Sequence, residues 1–247
     1  MDEATGHRLN QLNHDFYDAH AEAFADSRPR LAPGLRRVLA HIPPHARMLE
    51  VGCGDGKVGR WLQRHAPGAM YWGVDVSASM LERAERYSGQ RSAVSHQPLS
   101  FVQADLTAPD WPSSLPSAAF DWVMGFAVLH HIAGMGTRAR LVQTLAARLT
   151  PGGTLAVSNW QFTRSARLMT RVAPWSTVGL TESDVEAGDY LLTWERAGRR
   201  GLRYVHALDE VEVRALAEGA GLAVVEIFQS DGGSGALADY ALLRKSG

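Results

Sequence analysis

The chain is poor in cysteine and lysine, and it lacks long hydrophobic runs. Its one cysteine, Cys53, leaves no internal disulfide to form, which is typical of proteins from a reducing compartment. Lys57 and Lys245 are the only lysines, so arginine carries nearly all of the positive charge. No apolar run approaches the roughly 20 residues that span a bilayer, and residues 1–13 lack the apolar stretch of a signal peptide. We therefore expect a cytoplasmic protein with no membrane partner.

The remaining composition is typical of a globular protein. Hydrophobic residues make up 45% of the 247-residue chain, which is enough for a substantial core. The formal net charge of −1 argues against a surface that binds nucleic acid over most of its area, although a local basic patch stays open. This length suits one large domain, or a core with an elaboration.

Short apolar runs alternate with helical patterns through much of the chain. The predicted strands of this region cover residues 48–51, 70–74, 99–104, 120–126 and 154–158. Helices beginning near residues 57, 80 and 137 are predicted between them. This alternation predicts a parallel sheet with helices on both faces. Two further apolar runs, 222–228 and 240–243, flank a glycine-rich turn and are expected to form an antiparallel hairpin.

A glycine-rich loop follows the first of these strands and reads Glu50-x-Gly-x-Gly-x-Gly56. Glycine lets the backbone turn sharply and approach a ligand closely. The spacing departs from the G-x-G-x-x-G fingerprint that holds a pyrophosphate. Asp75 and Asp105 end the next two strands, where carboxylates can accept hydrogen bonds from ribose hydroxyls and from an adenine amino group. Together these features predict a site for a nucleoside without a pyrophosphate.

The pattern differs on either side of this core. Residues 9–25 have apolar residues at helical spacing, and a short helix is predicted for residues 35–41. The stretch from 159 to 206 is rich in arginine and aromatic residues and interrupts the alternation. We divide the chain into an N-terminal helical cap (1–45), a cofactor-binding core (46–158), a substrate or lid insert (159–206) and a segment that completes the core (207–247). The alternative for the insert is a helical lid with solvated arginines and an aromatic core.

Several short motifs follow the glycine loop in a characteristic order. They are Gly73-Val-Asp-Val-Ser77, Ala104-Asp105-Leu106, Phe120-Asp-x-Val123, Val128-Leu-His-His-Ile132 and Pro151-Gly-Gly153. The set resembles the Rossmann-like, class I S-adenosylmethionine-dependent methyltransferases. The resemblance implies a doubly wound α/β fold with a seven-stranded sheet, mostly parallel, that ends in the antiparallel hairpin. It also implies S-adenosyl-L-methionine as cofactor and S-adenosyl-L-homocysteine as product. The alternatives are a nicotinamide-dependent dehydrogenase and an inactive relative.

The resemblance assigns most of the predicted site to the cofactor. Asp75 would contact the ribose and Asp105 the adenine, although Asp105 is alternatively a solvated loop carboxylate. Val76 and Met80 would flank the adenine, with Met80 alternatively part of the core. Glu50 would hold the loop or meet the cofactor's amino group through water. The predicted cofactor contacts are Tyr17, Arg28, Glu50, Gly52, Cys53, Gly54, Asp75, Val76, Met80, Ala104, Asp105, Leu106, Phe126, Ala127 and His131.

A finer resemblance concerns the acceptor. The segments Phe16-Tyr-Asp18, Ser158-Asn-Trp-Gln161 and Arg203-Tyr-Val-His206 are similar to segments of the wobble-uridine tRNA methyltransferases. That family esterifies the carboxylate of a carboxymethyl group on the uridine. The resemblance therefore implies tRNA as a partner, with a small activating subunit as a second partner. The predicted substrate-binding residues are Trp160, Gln161, Arg164, Tyr190, Arg203, Tyr204 and His206.

The chemistry of the acceptor decides whether the site needs a base. A carboxylate is already deprotonated at pH 7 and needs only an arginine or another donor to orient it. A hydroxyl or amine would need a base, for which His131 is the candidate. The predicted catalytic residues are His131 and Arg28, while His130 and His131 can alternatively cap a helix or hydrogen-bond a loop. The histidines lack ligand spacing, so no metal site is predicted.

Two other functions stay open because the sequence lacks the long basic tracts that hold a tRNA. One is a small-molecule O- or N-methyltransferase in which residues 159–206 close over the active site. The other is a non-catalytic cofactor-binding scaffold that partners another protein. The pair Asp75 and Asp105 counts against the scaffold, which has no need of both. A cleft rimmed by arginines would favour RNA, and an enclosed apolar pocket would favour a small molecule.

Overall fold

A seven-stranded sheet forms the centre of the computed structural model, which describes residues 1–26, 30–89, 99–196 and 198–247. The strands are β1 (Arg47–Val51), β2 (Met70–Asp75), β3 (Leu99–Gln103), β4 (Phe120–Phe126), β5 (Leu149–Trp160), β6 (Val172–Ala173), β7 (Asp189–Arg196), β8 (Arg199–His206), β9 (Leu222–Ser230) and β10 (Ala238–Lys245). The central sheet has the order β3-β2-β1-β4-β5-β10-β9, in which β10 runs antiparallel to β5 and β9 and the other pairs are parallel. The predicted fold class is therefore confirmed.

Helices pack around this sheet. They are α1 (Glu3–Asp26), α2 (Pro33–Leu39), α3 (Lys57–His65), α4 (Ala78–Gly89), α5 (Met135–Ala147), α6 (Ala166–Met169) and α7 (Glu210–Gly219). α1, α2 and α5 begin earlier than predicted. Pro33 opens α2, where its missing N–H costs no hydrogen bond, and Asp209 caps α7 by accepting a 2.9 Å hydrogen bond from the Glu212 N–H. Among the described residues, no helix is both long enough and apolar enough to cross a bilayer.

The central strands are buried on both faces, which explains their continuous apolar runs. Successive residues of a strand point to opposite faces. In β1, Leu49 and Val51 enter one apolar core, which also contains Val123 of β4. Met48 enters the core on the other face, together with Met124. The carboxyl ends of these two neighbouring strands are thereby held rigidly side by side.

The insert between β5 and α7 contains a second sheet, with the order β6-β7-β8. It is antiparallel, and β7 and β8 pair along their whole length from Asp189↔His206 to Arg196↔Arg199. The helical form of the lid is therefore wrong. The stretch Leu192-Thr-Trp-Glu195 alternates buried and exposed residues with the period of a strand, because Thr193 and Glu195 face solvent.

Helix α1 packs directly on β8 of the insert. A Cβ at Gly201 would lie 2.8 Å from the Phe16 ring, so only glycine permits this close approach. Asn13 fixes the contact further: its Nδ2 donates to the carbonyls of His131 (2.8 Å) and Tyr204 (3.0 Å), and its Oδ1 accepts from the Tyr204 N–H (2.8 Å). The N-terminal helix, the insert and the segment after β4 are thus tied together over one edge of the sheet.

Candidate active site

A cavity of about 500 Å³ lies at the carboxyl ends of β1, β2 and β4. The strand order reverses between β1 and β4, and doubly wound sheets bind ligands in the crevice at such a point. The volume falls within the range of small-molecule sites, about 300–1,000 Å³. α1 contributes one wall, α2 and β10 another, and β8 of the insert a third. The cavity therefore draws on all four predicted segments of the chain.

The glycine loop forms the floor of the cavity. Gly54 has a φ of +52°, a left-handed conformation that glycine adopts without strain. Among the described residues, no heavy atom lies within 4 Å of the position that a Cβ at Gly54 would occupy. The backbone here is therefore bare and open to a ligand. Gly56, in the same conformation, precedes α3 and turns the chain into that helix.

Asp75 ends β2 and faces the same cavity. Its carboxylate accepts hydrogen bonds from the backbone N–H groups of Gly54 (2.8 Å, to Oδ2) and Ser77 (3.0 Å, to Oδ1). Burial raises the pKa of the Asp75 carboxyl, and these N–H groups counteract the rise. A carboxylate has about four acceptor positions, so these N–H groups leave room for a hydrogen bond from a ribose hydroxyl.

Glu50 is the second carboxylate in the cavity wall. It is only 4% exposed, and the Tyr71 hydroxyl donates a hydrogen bond to its Oε2. The pKa of Glu50 is raised to about 8, chiefly by burial; the nearby Asp75 and Asp55 carboxylates contribute to the rise, and the Tyr71 hydrogen bond opposes it. Glu50 is therefore largely protonated at neutral pH. A cationic group placed beside it would favour its ionised form.

Asp105 and Cys53 also line the cavity but differ in environment. Asp105 is exposed, and its Oδ1 accepts hydrogen bonds from the N–H and the hydroxyl of Thr107, both at 2.8 Å. Cys53 is buried, and burial raises the pKa of its thiol well above the usual value. Cys53 therefore stays in the protonated, unreactive form, and it packs in the cavity wall rather than acting as a nucleophile.

The backbone turns sharply after β4. Ala127 has a φ of +56°, although it is not glycine, and its N–H donates to the carbonyl and the hydroxyl of Ser158, both at 3.0 Å. Strained conformations of this kind cost about 1–3 kcal/mol and cluster at functional sites. The turn aims the following residues, including Val128 and His131, along the cavity wall.

His131 is held by hydrogen bonds on both ring nitrogens. Nδ1 lies 3.3 Å from the Tyr204 carbonyl oxygen, and Nε2 lies 2.7 Å from the Tyr17 hydroxyl. A carbonyl oxygen can only accept, so in the neutral ring Nδ1 carries the proton and the Tyr17 hydroxyl donates to Nε2. The lone pair that a general base would use is thus directed at Tyr17. Both side chains line the cavity.

Arg203 of β8 lines the cavity and is only 4% exposed. Its guanidinium carbon is 4.8 Å from the centre of the Trp160 ring and 5.7 Å from that of Phe16. The stacked rings favour a positive charge at this point. The N–H edge of a guanidinium is suited to two-point binding of a carboxylate.

The structure brings together most of the predicted cofactor residues but fewer of the predicted substrate residues. Of the substrate set, Trp160 and Arg203 line the cavity. From the cofactor set, Ala104 lies at the end of β3, where its N–H donates to the Asp75 carbonyl. Arg28 lies outside the described residues. The cavity-lining members of the cofactor set are Tyr17, Glu50, Gly52, Cys53, Gly54, Asp75, Val76, Met80, Asp105, Leu106, Phe126, Ala127 and His131.

Three other predicted substrate residues make structural contacts. The Arg164 guanidinium forms a two-point ion pair with Asp239, at 2.6 and 2.7 Å. The Gln161 side chain donates to the Leu208 carbonyl at 2.8 Å. Tyr190 packs edge-on against Phe162, with 5.2 Å between ring centres. These side chains fasten the insert to the main sheet.

Tyr204 and His206 belong to a separate buried ion network. The Tyr204 hydroxyl donates to Asp189 at 2.6 Å, and His206 bridges Asp189 and Glu212, both at 2.7 Å. Asp189, His206 and Glu186 lie close enough to bracket a metal ion. The buried Arg138 guanidinium, however, bonds Glu186 and Glu212 at 2.9 Å each and supplies positive charge there. We interpret the group as an internal ion network that joins α5, α7 and the insert.

Sequence reasoning missed several residues of the cavity. Asn13 is buried in α1 between core positions Leu9 and Phe16, and a polar residue at that spacing was a detectable signal. The contributions of Leu35 and Tyr240 had no such signal, because they depend on how α2 packs beside β10. The further lining residues that were not predicted are His7, Asn10, Gln11, His14, Arg30, Leu31, Ala32, Asp55, Lys57, Val58, Thr107, Ile132, Ser158, Asp231, Leu237 and Ala238.

The cavity fits the donor set expected for S-adenosylmethionine. The bare backbone at Gly54 forms a cradle that a Cβ would fill. Asp75 has an acceptor position for a ribose hydroxyl, and the Glu50 carboxyl would ionise beside a cationic amino group and pair with it. Leu106 and Val76 supply apolar surface for an adenine ring beside Asp105. These residues would hold the nucleoside and amino-acid ends of the cofactor on the β1–β3 side of the cavity.

Known proteins agree with this interpretation. Residues 49–155 match the family described as a methyltransferase domain. A trans-aconitate 2-methyltransferase from Paracidovorax citrulli is 34% identical over 170 residues, covering 66% of this chain and 58% of that protein. A Bos taurus protein named Probable tRNA methyltransferase 9B is 24% identical over 191 residues, covering 76% and 38%. The chain spans about half the length of the curated relatives it matches.

Solved structures show the same fold. A crystal structure of an S-adenosylmethionine-dependent methyltransferase from Methanosarcina mazei superposes with a TM-score of 0.66 at 17% identity, covering 87% of this chain and 98% of that one. This likeness concerns the fold of the chain. Residues 49–155 therefore match a methyltransferase domain, and the chain has the Rossmann-like fold of the class I methyltransferases.

Proposed function

We propose that the protein transfers a methyl group from S-adenosylmethionine to a carboxylate oxygen of a small acceptor. The observation that carries this proposal is the buried Arg203 guanidinium in the cavity wall. An arginine fork beside aromatic rings binds a carboxylate in two-point fashion and fixes the direction of its oxygens. Holding the reacting oxygen in place supplies much of the catalysis for a displacement of this type.

A carboxylate acceptor also agrees with the state of His131. When bound, S-adenosylmethionine supplies a methyl group on a sulfonium, and transfer to a carboxylate oxygen forms a C–O bond, leaves the S–CH₃ electron pair on sulfur and moves no proton. No general base is therefore required. His131, whose Nε2 accepts from the Tyr17 hydroxyl, instead joins α1 to the segment after β4. Tyr17 and His131 would shape the wall beside the transferred group.

The relatives support an acidic acceptor. One is named for trans-aconitate, which is a carboxylate anion. A second candidate function is suggested by the relative named as a tRNA methyltransferase, since a carboxymethyl group on a wobble uridine offers the same nucleophile. The small acceptor is favoured because Arg164 is paired with Asp239 and Arg203 is buried, so these two arginines do not form an open basic rim. A small activating subunit belongs to the tRNA candidate.

The first test is incubation with S-adenosylmethionine labelled in its methyl group, supplied with a panel of carboxylic acids or with tRNA that carries the unmethylated precursor. A methyl ester is released by mild base, whereas a methylated amine or ether is not. We expect base-labile label on an acid. Nuclease-sensitive, base-labile label on tRNA alone would favour the second candidate. Base-stable label would refute transfer to a carboxylate.

Arg203→Lys tests the anchor. Lysine keeps the charge but loses the two-point fork, so we expect the KM for the acceptor to rise about 10- to 100-fold, as for a lost hydrogen bond to a charged group. Binding of S-adenosylhomocysteine, measured by calorimetry, should stay the same. Arg199→Lys, at the exposed start of the same strand, is the matched control. An unchanged KM in Arg203→Lys would contradict the assignment.

A further inference from the structure

The cavity extends well beyond the residues that fit the cofactor. Those residues end β1, β2 and β3, whereas the far part lies beside β4, β5 and β10. Its walls are mainly apolar and include three leucines that are only partly buried. We call this part the apolar lobe; it is lined by Leu31, Leu35, Phe126, Leu237, Ala238 and Tyr240.

The apolar lobe is built into the fold rather than formed by loose side chains. The Tyr240 ring stacks on Phe228 with 5.2 Å between ring centres, and its hydroxyl donates to Asp231 at 2.7 Å. The other oxygen of Asp231 accepts from the Gly34 N–H at 2.9 Å. A Cβ at Gly34 would lie 2.2 Å from the Tyr240 ring, so α2 sits directly against this wall. The lobe is therefore pre-organised.

The apolar lobe adjoins the proposed carboxylate anchor. Trp160, on which Arg203 stacks, pairs across β5 and β10 with Ala238 of the lobe. Ser158 pairs with Tyr240 two residues further along the same two strands. Two charged side chains lie near the lobe among the described residues. Asp231 accepts hydrogen bonds from Tyr240 and Gly34, and Arg30 is exposed. An acid whose carboxylate binds Arg203 would thus place the rest of its structure against the side chains of the apolar lobe.

We propose that the acceptor is a monocarboxylic acid with an apolar body, whose carboxylate binds Arg203 and whose hydrocarbon part fills the apolar lobe. This inference rests on the proposed function and names its substrate class. A compact polycarboxylate would leave its additional charges against leucine and phenylalanine, which is costly. A nucleotide would likewise place a polar base or sugar there. Burial of a hydrocarbon chain instead displaces water from apolar surface.

A series of straight-chain acids from butanoate to decanoate, with trans-aconitate and precursor tRNA alongside, tests the inference. Each methylene buried should lower the KM about fourfold, since its burial contributes about 0.8 kcal/mol. The fall should stop once the lobe is full. Calorimetric titration of decanoate into the protein with bound S-adenosylhomocysteine gives a readout independent of turnover, and decanol should bind more weakly because it lacks the carboxylate.

Two variants locate the effect in the lobe. Leu35→Asp should raise the KM for octanoate by about tenfold or more and change that for butanoate less, because it places a charge beside the chain. Leu35→Phe keeps the site apolar but fills part of the lobe, so the preferred acid should become shorter. This variant tests whether the lobe binds the acid if Leu35→Asp does not fold. Val225→Asp, a matched change at a 54% exposed position of β9, should leave the series unaltered.

The outcomes separate the two proposals. A KM that is flat along the series, with trans-aconitate or tRNA esterified, overturns the apolar-acid inference and leaves carboxylate methylation standing. The absence of base-labile label on every acid and on tRNA overturns carboxylate methylation, and the inference with it. A chain-length dependence that Leu35→Phe shortens supports both.

Discussion

The carboxylate of Asp75 connects the glycine loop to the nucleoside end of the site. Its two oxygens are oriented by N–H groups on either side, one from Gly54 and one from Ser77. These two hydrogen bonds fix the orientation of the carboxylate, which lines the cavity. A single side chain thus fixes both the loop and the position of a ribose.

We expect Asp75→Asn to weaken binding of S-adenosylhomocysteine about 10- to 100-fold, because hydrogen bonds to a charged group contribute about 1.5–3 kcal/mol. The amide nitrogen would also face an N–H donor. Isothermal calorimetry measures the change. Asp110→Asn, at an exposed position, is the matched control and should bind as the parent does. An unchanged affinity in Asp75→Asn would refute the ribose assignment.

At the scale of elements, α1 is the least expected part of the site. A polar stripe along the helix, including Asn10, Asn13 and Tyr17, meets the cavity and the segment after β4. Asn13 replaces an apolar core residue because the His131 and Tyr204 carbonyls and the Tyr204 N–H require partners. The helix is therefore held by directional bonds as well as by the packing of Leu9 and Phe16.

Asn13→Ala should destabilise the protein by about 2–4 kcal/mol, because it leaves buried backbone groups without partners. Unfolding in urea measures the change, and hydrogen exchange should show α1 opening before the central sheet. Gln11→Ala, at an exposed position of the same helix, should lower the free energy of unfolding by less than about 1 kcal/mol. Equal losses in the two variants would show that the Asn13 contacts do not hold the helix.

At the scale of the whole molecule, local sequence patterns predicted the strands of the central sheet, whereas contacts between distant segments could not be predicted. The strand β4 (Phe120–Phe126) was predicted to the residue, because it is apolar throughout and bounded by clear turns. Asp75 and Asp105 were expected at strand ends because topology places those ends together. The sheet of the insert was missed since its period-2 segment is short and lies among irregular turns. Arg164 and Arg203 look equivalent in sequence, and only tertiary packing assigns one to Asp239 and the other to the cavity.

Two groups with raised pKa values, Glu50 and His206, affect how stability depends on pH. Burial raises the pKa of Glu50 to about 8. Burial opposes the charge on His206, but hydrogen bonds to Asp189 and Glu212 outweigh it and raise the pKa of His206. Both groups therefore hold protons in the folded chain at pH values where the unfolded chain has released them. Stability falls with rising pH under these conditions.

We expect the free energy of unfolding to decrease as the pH rises from about 5 toward 8, because Glu50 loses its proton at a lower pH in the unfolded chain than in the folded one. His206 adds a second decrease, which begins near the ordinary imidazole pKa and continues through its raised pKa in the folded chain. Urea unfolding at a series of pH values measures the slope. Glu50→Gln removes the buried ionisation while keeping an acceptor for Tyr71, so it should flatten the slope. His206→Gln should flatten the part near neutrality, at a cost in stability at low pH. His41→Gln, at an exposed position, should keep the parent slope, and an unchanged slope in both test variants would contradict the assignment.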